Sequence, residues 1–177
     1  MTRCVTDYLV QEHQELSFLL NDLQDQLRVL PMVRDHRKTA ERLIGLRRKI
    51  SAALHTHVLE EEQILYPALQ EHVQGIAFTL DRMRHEHDAG EQTEKTFHQS
   101  LDRLLKGGGS PHEVMQSGRK YIIWLRNHLL DENGRLFPMV ERGLDPSIQH
   151  AVRRALEEMS QESSARVAEG QLVTAGA

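Results

Sequence analysis

His57-Val58-Leu59-Glu60-Glu61-Glu62-Gln63-Ile64-Leu65-Tyr66-Pro67 and His128-Leu129-Leu130-Asp131-Glu132-Asn133-Gly134-Arg135-Leu136-Phe137-Pro138 carry one pattern written twice, H-x3-E-x3-L-[Y/F]-P, 71 residues apart. A second pair accompanies them: Glu12-His13 and Glu86-His87, 74 residues apart. Matched spacing of imidazoles and carboxylates predicts a metal site assembled by two similar halves of one fold.

The surrounding sequence is helical. Four long amphipathic helices follow the 3.6-residue period. The first, from about Thr6 to Val29, has the stripe Val5, Leu9, His13, Leu16, Leu20, Leu23 and Leu27. The second, from about Arg37 to Glu71, has Leu43, Leu46, Ile50, Ala53, Leu54, His57, Glu61, Ile64 and Ala68 on its buried side. The third, from about Ile76 to Lys106, has Ile76, Leu80, Met83, His87, Gly90, Glu94, Phe97, Leu101 and Leu104. Gly107-Gly108-Gly109 breaks the pattern, and Ser110-Pro111 suits an N-cap and first helical position. The fourth helix then runs to about Arg142 and buries Tyr121, Trp124, Leu125, His128, Glu132 and Leu136. Pro67 and Pro138, each ten residues after its histidine, are expected to kink or end their helices.

Short connections favour antiparallel neighbours, hence an all-α, up-down-up-down antiparallel four-helix bundle with an internal pseudo-twofold repeat. The expected organisation is the bundle over residues 1–142, a short C-terminal helix over 143–160, ending near Ser160, and a flexible tail over 161–177.

Bulk properties narrow the function. A chain of 177 residues fits one domain with a sizeable core. A net charge of −4, with no basic block, gives no reason to expect nucleic acid or an anionic membrane as partner. No stretch approaches transmembrane length and no apolar leader opens the chain. The lone Cys4 excludes an intrachain disulfide and suits a cytoplasmic protein. No protein partner can be named from these features.

Residues i and i+4 share a helix face, so His57 with Glu61, and His128 with Glu132, are imidazole–carboxylate pairs facing inward. His13 and His87 add one imidazole from each remaining helix. A single histidine on such a stripe is more often a hydrogen-bonded core residue than a ligand. Six polar groups in register on four core stripes need a common cause, because buried polar groups cost free energy unless partnered. A metal provides one. Mixed nitrogen and oxygen donors suit iron, manganese or zinc, and six exceed the needs of one tetrahedral zinc. A zinc protein and a metal-free bundle remain alternatives on these residues alone.

These motifs resemble the hemerythrin-like, HHE cation-binding family over residues 1–142. The resemblance implies a non-haem di-iron centre within the bundle. His13, His57, His87 and His128 would be terminal ligands. Glu61 and Glu132 would bridge the irons, completed by an oxo, hydroxo or water bridge. It also implies a small diatomic or peroxide ligand, in a protein that senses or reacts with O2, NO or peroxide, or delivers iron. A peroxide- or NO-decomposing enzyme is the alternative. Oxygen-carrying members have H-x3-H on the third helix and H-x4-D on the fourth. This chain has Met83 one turn before His87 and H-x3-E on the fourth, with near-symmetric metal environments expected. Met83-Arg84-His85-Glu86-His87-Asp88-Ala89-Gly90 is similar to the M-x2-E-H-x2-G stretch of the repair-of-iron-centres branch. His128 to Asn133 is similar to that branch's H-x3-E-N segment.

The other candidates have ordinary expectations. Gly90 is read as close helix packing, Glu94 as a solvated stripe edge, and Tyr8, Tyr121 and Trp124 as core filling. His55 and His85, two residues from expected ligands, face elsewhere. His36, His72, His98, His112 and His150 are read as surface residues, and Cys4 as an inert thiol.

Overall fold

The computed structural model describes residues 4–168, which are almost entirely helical. Helix α1 (Val5–Val29) opens with the Asp7 carboxylate accepting the Cys4 N–H at 2.8 Å. A 3-10 turn containing Pro31 ends it, and the Asp35 carboxylate caps α2 (His36–Glu60). Helix α3 (Tyr66–His72) continues the second long segment, and α4 (Ala77–Leu105) is the third. Gly107, at φ 77°, takes the chain out of α4. Ser110 and Glu113 then form the expected reciprocal cap at the start of α5 (Pro111–Asp131). Helices α6 (Phe137–Gly143) and α7 (Pro146–Ala168) complete the described chain.

Neither proline ends its segment. Five residues of π-helix, Glu61–Leu65 and Glu132–Leu136, join α2 to α3 and α5 to α6. Tyr66 N–H bonds the Glu61 carbonyl, and Phe137 N–H bonds that of Glu132, each five residues back. Pro67 and Pro138 thereby fall in a first turn, where a missing N–H leaves no acceptor stranded. The wide turn also changes the register. One extra residue rotates the next helix by about 100°. Leu65 and Leu69 are therefore buried in place of the expected Ile64 and Ala68, which are half-buried. The second half matches, with Leu136, Phe137 and Val140 buried.

Helix α1 packs against α2 and α5, and α4 against the same two, so the four long segments close a ring. Helix α7 is longer than expected. It runs 23 residues to Ala168, packs on α1 and α2, and buries Val152 and Leu156. Of the expected flexible tail, residues 169–177 lie outside those described.

Apolar side chains form two separate cores. One contains Leu16 to Leu27 of α1, Leu43 to Leu54 of α2, Phe97 and Leu101 of α4, and Val114 to Leu129 of α5. The other contains Val5, Leu9, Leu65, Leu69, Leu80, Met83, Leu136 and Leu156. On every long segment the expected site residues lie between the two.

Candidate metal centre

Between those cores the structure brings all six expected residues into one buried layer. His13, His57, Glu61, His87, His128 and Glu132 are each 7% exposed or less. Every imidazole turns Nε2 inward and Nδ1 outward. Glu132 lies at the centre. Its Oε2 is 3.2 Å from His13 Nε2 and 3.6 Å from His57 Nε2. Its Oε1 is 2.9 Å from His128 Nε2 and 4.0 Å from His87 Nε2. Glu61 also faces both halves, Oε1 toward His57 at 3.9 Å and Oε2 toward His87 at 3.5 Å. Two overlapping groups of possible metal donors result: Glu61, His87, His128 and Glu132, and His13, His57 and Glu132.

The π turns explain how helical carboxylates reach the middle. Each begins at its glutamate, so the backbone widens where the side chain must project between four segments. Such wide turns are frequent at functional sites.

A cation fits this donor set. Glu61 Oε1, both Glu132 oxygens, His87 Nε2 and His128 Nε2 are buried without a hydrogen bond; even the 2.9 Å approach of His128 to Glu132 lacks the alignment of one. Orphaned buried polar atoms are costly, yet these converge. His13 Nε2 and His57 Nε2 are 3.1 Å apart, the separation of adjacent donors about 2.0–2.2 Å from one ion. The electrostatics also call for positive charge. Burial opposes ionisation of His57, but the Glu61 charge, the bond to Glu12 and the nearby Glu132 charge outweigh it and hold its pKa well above the usual range. Burial likewise opposes a charged His87, and the neighbouring Glu132, Glu61 and Glu62 carboxylates prevail, raising it to about 10. For Glu132, burial favours the neutral acid, and the His128 charge with the close approach of the other imidazoles drives the pKa well below the carboxylate range.

Each outward Nδ1 has its own partner. His57 meets Glu12 at 2.9 Å, His128 meets Glu86 at 3.1 Å, His87 meets Glu62 at 2.7 Å, and His13 meets Asn133 Oδ1 at 3.2 Å. A carboxylate or amide there fixes the tautomer and aims Nε2 inward. The repeated Glu12 and Glu86 were visible in the sequence, but their roles were not. Each precedes a site histidine and serves the histidine of another helix. Glu62 and Asn133 directly succeed the two site glutamates in sequence and do the same. Tyr66 also went unassigned; its hydroxyl donates to Glu61 Oε2 at 3.0 Å, while its repeat counterpart Phe137 stacks on His13.

The model of the Hemerythrin HHE cation binding domain matches residues 4–140. The chain belongs to this family. Comparison with curated proteins and with solved structures yields no match. No described helix of this hemerythrin-like protein is long and apolar enough to cross a membrane.

Several residues outside the layer take defined places. A Cβ on Gly90 would lie 2.0 Å from the Trp124 ring, so close packing accounts for this glycine. Trp124 is half-buried, stacks on His128 with centroids 5.6 Å apart, and donates Nε1–H to the Glu86 carbonyl. Gly90→Ala is accordingly expected to cost about 1–3 kcal/mol through overpacking and to displace the indole. Thermal unfolding and tryptophan emission check both effects. Glu94 is not simply solvated; it pairs with Arg47 at 2.6 Å, both side chains largely shielded. His55, His72, His85, His112 and His150 are exposed, whereas His36 and His98 are half-buried. The repeat breaks outside His57. Glu60 is buried, accepts a bond from Tyr8, and is pushed up to about 8 by burial and the Glu12 charge. Its counterpart Asp131 instead pairs with Arg82 at 2.6 Å.

Proposed function

We propose that this hemerythrin-like protein holds two non-haem irons and uses them to sense or react with O2, NO or peroxide, or to deliver iron. The observation carrying this reading is the pair of donor groups that share Glu132 across one buried layer. In this reading His13, His57, His87 and His128 would hold the irons through Nε2, and the Glu61 and Glu132 carboxylates would be shared between them. An iron pair held there would supply one-electron redox chemistry toward a small ligand. The chain's own residues do the rest. Glu12, Glu86, Glu62 and Asn133 orient the imidazoles, and the two cores shield the layer from bulk water. The bundle course is proposed as up-down-up-down about a pseudo-twofold axis, supported by the short connections and the closed ring of contacts.

Within the family, the reading favours the repair-of-iron-centres branch, acting in the cytoplasm during stress. Each matching motif residue has work consistent with it. Met83 is in the core, Glu86 holds His128, Gly90 admits Trp124, and Asn133 faces His13. A buried thioether at Met83 supplies no fifth imidazole, which argues against reversible oxygen carriage.

Elemental analysis of protein purified without added metal is expected to find about two irons per chain, with a yellow oxidised form. Stoichiometric zinc without iron would overturn the assignment. The reduced protein is expected to convert to the oxidised spectrum within minutes in air. A colour that reverses on degassing would contradict this. Turnover of peroxide or NO by the loaded protein separates an enzyme from a sensor.

A further inference from the structure

We propose that the two metal positions are unequal and fill in order, the His87–His128 position before the His13–His57 position. The inference rests on the two-metal reading above. The inner six residues obey the repeat, but their outer partners do not. Glu12–His57 and Glu86–His128 are equivalent pairs, both carboxylate to imidazole, at 2.9 and 3.1 Å. Glu62–His87 and Asn133–His13 are the other equivalent pair. Here a carboxylate at 2.7 Å stands opposite an amide oxygen at 3.2 Å.

A carboxylate accepting Nδ1–H pushes electron density through the ring to Nε2 and strengthens it as a donor. A neutral amide fixes the same tautomer with far less push. The His87–His128 position thus has two carboxylate-backed imidazoles, and the other position has one. Two features act the opposite way. Arg82 lies 3.3 Å from Glu86 and draws on its charge, and the Tyr66 hydroxyl donates to the Glu61 oxygen that faces His87. Arg82 approaches Asp131 more closely, at 2.6 Å, and the Tyr66 hydroxyl is a neutral dipole. The difference between Glu62 and Asn133 is a full charge in direct contact with the ring, and it decides the order.

Repulsion between two nearby cations separates the binding steps even in a symmetric centre, so the order of filling carries the test. The chain has one tryptophan, Trp124, and it stacks on His128. Its emission therefore reports most strongly on the His87–His128 position. Stripped protein is titrated anaerobically with Co(II), monitoring cobalt absorption and Trp124 emission together. The first equivalent is expected to produce most of the quenching. Glu62→Gln and Asn133→Asp keep side-chain size and change charge, at positions that are half-buried and exposed respectively. Glu62→Gln is expected to weaken the first step by about 10–100-fold, and Asn133→Asp to tighten the second. The double variant is expected to shift most quenching to the second equivalent. Quenching shared evenly in the wild type, or an order unchanged in the double variant, would overturn the inference while leaving two-metal binding intact. Uptake of fewer than two Co(II) ions by wild type would overturn the two-metal reading, and this inference with it.

Discussion

Removing the metal is expected to lower the melting temperature by about 10–20 °C. Five buried donor atoms on Glu61, His87, His128 and Glu132 have no hydrogen bond within the protein. An unsatisfied buried polar group costs about 1–3 kcal/mol. Charged histidines beside the carboxylates recover part of this, which favours the lower figure and a total of about 5 kcal/mol. For a chain of this size, about 2–4 °C accompanies each kcal/mol, giving the stated range. The layer separates two apolar cores, so its loss is expected to loosen the packing on both sides. Calorimetric scans of purified, stripped and reconstituted protein check the shift. Coincident scans with metal loss verified by elemental analysis would contradict it.

Glu132→Ala is expected to remove both metals, reducing content from about two per chain to well below one. Glu132 faces all four imidazoles within 4.0 Å, one oxygen toward each pair. A carboxylate shared in this way supports two positions together, so its loss weakens both. Glu61→Ala is expected to be severe but milder. Glu61 stands farther from its imidazoles, at 3.5 and 3.9 Å, and each oxygen faces a single one. His55→Ala and His85→Ala provide the controls, because each is exposed and two residues from a proposed ligand. They are expected to retain full metal content. Content is measured per folded chain after gel filtration, alongside near-ultraviolet absorption. Equal loss in the glutamate variants and the controls would refute a bridging role.

The candidate site was legible because every member sits on a helical stripe. The i,i+4 rule brings His57 to Glu61 and His128 to Glu132 without tertiary information. The 71-residue repeat then relates the two halves. The asymmetry was less legible. Glu62 and Asn133 were in plain view within the repeat, but they point about 100° away from Glu61 and Glu132 around the helix axis, and which neighbouring side chain they meet depends on how the helices pack. Glu62 and Asn133 reach His87 and His13 on other segments from within the π turns, as Glu12 and Glu86 reach His57 and His128 from α-helices. The π turns moved the buried positions from Ile64 and Ala68 to Leu65 and Leu69. A 3.6 period extrapolated through a π turn fails by one residue, although Leu136 in the second copy already held the correct register.

By itself, the sequence determined an all-helical chain, its long amphipathic segments, and which six polar side chains occupy core stripes. These come from local periodicity, which needs no knowledge of the neighbouring helix. Only the tertiary structure decided what each outward imidazole nitrogen touches, that Glu94 pairs with Arg47, that Trp124 fills the space above Gly90, and that α7 extends to Ala168 against α1 and α2. Those are contacts between segments far apart in the chain. They depend on rotation and spacing at the packed interface, and no pattern within one helix encodes either.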